Sequence, residues 1–142
     1  MKAVATMEKK TEVGAYAEDS IIKFPEGLIG FHDCKSFVLM ETEGIAPFRR
    51  LQSTERPEVG FLVLDPRMVV KNFLSIVPER EWDSLGLDDQ ASKLAFVICI
   101  IGPTPAESTG NLQAPLIINY SKMTGRQVIL TDSGFSSRQS LV

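Results

Sequence analysis

In 142 residues the sequence has two cysteines and one histidine, and each scarcity excludes something. Cys34 and Cys99 are too few for a disulfide scaffold and too far apart for a redox or metal pair. With His32 as the lone histidine, two-histidine metal motifs are absent. Few soft ligands remain, so no metal and no cofactor is expected. No apolar run approaches the roughly 18 residues that a membrane helix needs. The opening MKAVATMEKK has no hydrophobic stretch long enough for a signal peptide. A cytoplasmic protein without a membrane partner is therefore expected. Positive charge is not in surplus either: 15 Lys+Arg stand against 18 Asp+Glu, for a net charge of −3. A general nucleic-acid binder would need excess cations to displace counterions from phosphates, so no direct nucleic-acid contact is expected. No GxSxG, Walker loop or GxGxxG occurs.

What is present reads as one globular domain. Hydrophobic residues make up 44% and charged residues 23%, which rules out wholesale disorder. Residues 1–11 carry lysines without periodicity and read as a flexible N-terminal tail, with a single domain over 12–142. Strand-length apolar runs follow at 20–24, 37–40, 48–53, 59–64, 94–101, 116–119 and 127–130. The eight prolines fall at the borders of these runs, where a missing N–H breaks no central ladder. Met123-Thr124-Gly125 reads as a hairpin turn, with Gly125 free to take positive φ. This pattern predicts an all-β, mainly antiparallel fold, a sandwich or a small barrel.

One stretch departs from the strand pattern. Pro78 and the acids Glu79 and Glu81 predict a short helix, with Gly86 just past its end. Trp82 and Leu85, three residues apart, would anchor it to the sheet. Asp88 is placed to cap a further short turn through Ala91.

Residues that could carry chemistry are few. His32, between Phe31 and Asp33 in a turn, reads as structural rather than as a general base. Cys99, inside FVICII, reads as core, and Cys34 as half-exposed. The serine-rich end (Ser133, Ser136, Ser137, Ser140, with Arg138) reads as a solvated tail rather than a phosphate site. Charge is more informative. Residues 79–89 hold Glu79, Glu81, Asp83, Asp88 and Asp89 against Arg80 alone. Such a run is either a solvated helix face or a docking surface for a basic partner.

Four blocks occur in a fixed order: FPEGLIGF (24–31), LQSTERPEVGFLVLDP (51–66), STGNLQAPLIIN (108–119) and GRQVIL (125–130). Together they resemble the bacterial FliW family over residues 12–141. The sequence departs from that pattern at Ile29, often Pro in the family, at Phe135, often Tyr, and at Ser140, often Pro.

The resemblance implies a compact β-barrel-like fold with one or two short helices, and a non-enzymatic protein. It implies two partners: the RNA-binding translational repressor CsrA, whose hold on flagellin mRNA is relieved, and newly made flagellin. The acids Glu79, Glu81, Asp83, Asp88 and Asp89 are the candidate CsrA contacts. Gln52, Asn111, Gln113, Asn119 and Arg138 are motif residues that either tie loops to the sheet or touch a partner, since a buried polar group needs a partner. The alternatives are a dedicated flagellin chaperone without a translational role, and a small-barrel enzyme or ligand-binding module built on His32 or Cys34.

Overall fold

The strand-length runs join into one sheet that curls until its ends meet. The computed structural model describes residues 16–141, so the expected N-terminal tail lies outside the described residues. The strands are β1 (Ile21–Lys23), β2 (Ser36–Met40), β3 (Arg49–Ser53), β4 (Gly60–Leu64), β5 (Lys93–Ile100), β6 (Thr109–Gly110), β7 (Leu116–Asn119), β8 (Thr124–Gln127) and β9 (Gln139–Ser140). Neighbours run β4-β3-β2-β1-β8-β7-β5, and β5 pairs back onto β4 to close a seven-stranded barrel. The short β6 and β9 extend the sheet beyond β5. Every pairing is antiparallel except β1 with β8, which meet in parallel at Lys23 and Thr124 alone. Two short α-helices, α1 (Phe73–Ile76) and α2 (Glu79–Asp83), and four single 3-10 turns complete the elements of the described residues. The expected mainly antiparallel barrel with one or two short helices is borne out. Neither helix is long and apolar enough to cross a membrane.

Alternation along β5 separates two cores. Leu94, Phe96 and Ile98 face the barrel interior with Phe24, Phe37, Leu51, Leu116 and Ile118. Ala95, Val97 and Cys99 face outward, beneath the helical segment, with Phe73, Trp82, Leu85, Leu112 and Ile117. This strand is covered on both faces, which is why it reads as a continuous apolar run. Each large side chain so buried contributes roughly 1.5–3 kcal/mol.

The helix at Pro78 forms one residue later than the sequence indicates. Pro78 is the capping position, and Glu79–Asp83 is the helix. Trp82 and Leu85 are both buried as expected. Four other expectations change. Asp89, not Asp88, caps the next turn, its carboxylate accepting from the Ala91 N–H at 3.0 Å. Cys34 is fully buried among the barrel residues rather than half-exposed. The C-terminal stretch is docked rather than loose: Phe135 stacks on Phe73 at 5.6 Å, and β9 pairs with β6. Finally, it is Met123 that takes positive φ in the hairpin. Gly125 lies within β8, and a Cβ there would sit 2.8 Å from both the Ile117 carbonyl oxygen and the Phe24 ring. Close approach, not left-handed backbone, demands glycine at that position.

Candidate functional site

The acidic flank is built around α2. With Trp82 pointing into the outer core, the polar side of this short helix faces cations from distant strands. Arg126, on β8, donates from Nη1 to Glu81 Oε1 at 3.1 Å and to Ser84 Oγ at 3.1 Å. Its Nη2 lies 3.7 Å from Glu26. Lys93, at the start of β5, donates to Glu79 Oε1 at 3.2 Å and sits 5.1 Å from the Trp82 ring centroid. Glu79, Glu81 and Asp89 are thus engaged within the molecule, and folding offsets two of the negative charges. Asp83 and Asp88 are exposed. Their carboxylates make no hydrogen bond or ion pair among the described residues. The linear sequence overstates the field, and the part free to meet a partner is this pair.

That division has a measurable consequence. Asp83→Asn with Asp88→Asn should leave the unfolding free energy within about 0.5 kcal/mol of wild type. Adding Glu81→Gln should lower it by about 1 kcal/mol, because Arg126 then keeps a half-buried charge with one good carboxylate partner fewer. Urea denaturation of the three proteins checks this. A triple amide as stable as the double would show that the Glu81–Arg126 pair contributes nothing.

The motif polar residues divide sharply. Gln52 is buried: its Nε2 donates to the Val59 and Ser53 carbonyls at 2.9 and 3.1 Å, and its Oε1 accepts from Arg50 Nε at 2.9 Å. It straps the turn between β3 and β4. Asn119 is also buried, donating from Nδ2 to the Leu85 carbonyl at 3.0 Å and accepting from Ser121 Oγ at 3.0 Å. It fastens the chain just beyond α2 to the end of β7. Asn111 accepts from the Ala114 N–H at 3.1 Å and shapes the turn between β6 and β7. Gln113 and Arg138 are exposed, and among the described residues only their backbones are engaged: the Gln113 carbonyl accepts from the Leu130 N–H at 2.7 Å, and the Arg138 N–H donates to Ser136 Oγ at 2.9 Å. Of the five, these two alone present free side chains.

Sequence reasoning missed Gln127, whose Oε1 accepts from the Ile29 N–H at 2.8 Å while its Nε2 donates to the Ala114 carbonyl at 3.0 Å. It also missed the barrel mouth. At the end where β2 turns into β3 lies an open groove of about 830 Å³, floored by Leu94 and Phe96 and rimmed by Phe48, Met68, Glu41, Glu43, Asp65, Arg49 and Arg67. Arg49 lies 5.8 Å from the Phe96 ring centroid and 3.8 Å from Glu41. Burial opposes ionisation of Asp65, but hydrogen bonds from the Arg67 side chain and backbone outweigh it and hold the carboxyl below its usual range. No run of sequence announces this groove, because its floor and rim come from three separate segments.

His32 and Cys34 line neither this groove nor the smaller one beside α2. His32 is exposed, its ring Nδ1 3.4 Å from the Glu26 carbonyl. Burial pushes the Cys99 thiol up to about 11, which keeps it from forming the reactive thiolate at neutral pH.

Fold and site together define a small closed β-barrel with an acidic helical flank and one open mouth. The chain belongs to the FliW family, a family of flagellar assembly factors: the model of the FliW protein matches residues 6–141. The flagellar assembly factor FliW of Leptospira interrogans serogroup Icterohaemorrhagiae serovar Lai (strain 56601) is 35% identical over 127 residues, 89% of this chain and 85% of the relative. That of Thermotoga sp. (strain RQ2) is 33% identical over 138 residues, 95% and 93% of the two chains. A crystal structure of the flagellar assembly factor FliW superposes with a TM-score of 0.77 at 31% identity, covering 89% of this chain and 88% of that one.

Proposed function

We propose that this chain works in flagellar assembly by exclusive partnership, holding either the translational repressor CsrA or newly made flagellin in the cytoplasm. It catalyses no reaction in this reading. The observation that carries it is a division of surface: an acidic flank with Asp83 and Asp88 unengaged, and an apolar-floored mouth at one barrel end. A repressor that grips mRNA must present cations, and a negative flank docked beside them would repel phosphates. At physiological salt that field acts over about 8 Å, so the docking must be close. Flagellin, whose terminal segments form amphipathic helices, suits an apolar surface instead.

Two partners that regulate each other must each weaken the other's binding, and linkage makes that weakening reciprocal. Mixing the three purified chains and running size-exclusion chromatography should therefore give two binary complexes and no stable ternary one. A peak holding all three chains would contradict exclusive partnership. Binding of flagellin without any binding of CsrA would shift the reading to a dedicated flagellin chaperone.

A further inference from the structure

We propose that the barrel mouth is a docking groove for a protein segment that presents a bulky apolar side chain beside a lysine or arginine. This rests on the reading that the chain binds flagellin, and adds the surface that does so.

The groove has the volume for several side chains rather than for one. Its floor is the aromatic and aliphatic end of the barrel core, Phe96 and Leu94, and Met68 stands on the rim with 62% of its surface exposed. A methionine so placed is an adaptable contact for an incoming apolar group. The rim charges decide what flanks that group. Arg67 is held by Asp65 through hydrogen bonds of 2.6 and 3.1 Å, and Arg49 is committed to Glu41 and the Phe96 ring. Both cations are therefore neutralised, which disfavours an anionic ligand. Glu43 is exposed, and its carboxylate makes no hydrogen bond or ion pair among the described residues. The charge left over is negative, and its complement is a cation next to the apolar anchor. Barrel mouths are common ligand sites for the same geometric reason: a concave apolar floor with polar groups on its edge.

Flagellin of the same bacterium is the probe, with binding measured by calorimetry and stability by thermal unfolding. Met68→Lys removes the apolar contact and puts on an exposed rim position a charge that repels the partner's own cation, so it should weaken flagellin binding roughly tenfold or more, with Tm nearly unchanged. Glu43→Lys should weaken it less and flatten its salt dependence. Lys35→Glu, at the opposite end of β2 from the groove, is the control and should bind like wild type. Wild-type affinity in both groove variants overturns this assignment while leaving flagellin binding itself intact. Failure of the wild type to bind flagellin overturns the assignment and the functional reading together. A wild-type dimer that Met68→Lys dissolves would give the groove to a second copy of this chain and likewise overturn it.

Discussion

Trp82→Ala should lower the free energy of unfolding by about 3–5 kcal/mol, roughly 10 °C or more in Tm. The indole is fully buried in the outer core, and its loss empties the contact between α2 and the barrel wall. It also strips the aromatic face from beneath Lys93, whose ammonium sits 5.1 Å from the ring centroid. Trp82→Phe is the informative contrast. Among the described residues the buried indole Nε1 has no hydrogen-bond partner, so phenylalanine removes an unsatisfied donor along with some volume. The Phe variant should therefore lose well under half of what Ala loses. Equal losses would mean that volume, rather than the unpaired donor, sets the balance. Calorimetry on the two variants separates these outcomes.

Gly27→Ala is the second large effect, and it is best measured against Gly30→Ala. Both glycines adopt positive φ, 67° and 85°, in the turn that follows β1. An L side chain in that region costs roughly 1–2 kcal/mol. Around Gly30 a Cβ would meet nothing within 4 Å, so that variant should show the backbone cost alone. At Gly27 a Cβ would sit 2.6 Å from the His32 Cα and carbonyl oxygen, backbone atoms that cannot step aside cheaply. Over-packing adds about 1–3 kcal/mol. Gly27→Ala should thus be the more damaging by at least 1 kcal/mol, read from urea midpoints at constant slope. Equal midpoints would show that the turn opens without resistance.

Much of the barrel could be read from the sequence because its signals are local. Apolar runs bounded by prolines marked most of the strands, and the spacing of Trp82 and Leu85 marked the buried side of α2. What escaped was set by partners far along the chain. Glu79 and Glu81 look free in the sequence because Lys93 and Arg126, which engage them, lie on β5 and β8. Cys34 looks half-exposed beside Asp33 and Lys35, but the turn tucks it under the barrel wall. β6 and β9 are two residues each, below the length at which alternation means anything. α1, a single turn at Phe73–Ile76, is too short for a helical period to show, and Asn72 at its cap position makes no side-chain capping bond. Gln52 and Asn119 could be singled out as polar residues in apolar surroundings, but which backbone groups they satisfy is decided by tertiary contacts.

The ring of strands is closed unequally. Three residue pairs join β4 to β5, while one joins β1 to β8. A closed barrel that must open does so where the fewest backbone bonds are lost, and local stability within a fold varies in this way. Here that place is the seam beside Lys23, with Phe24 packed across it against Gly125. A break at that seam would cost the ring its fewest ladder pairs and would leave β1, β2 and β3 paired to one another as one antiparallel leaf.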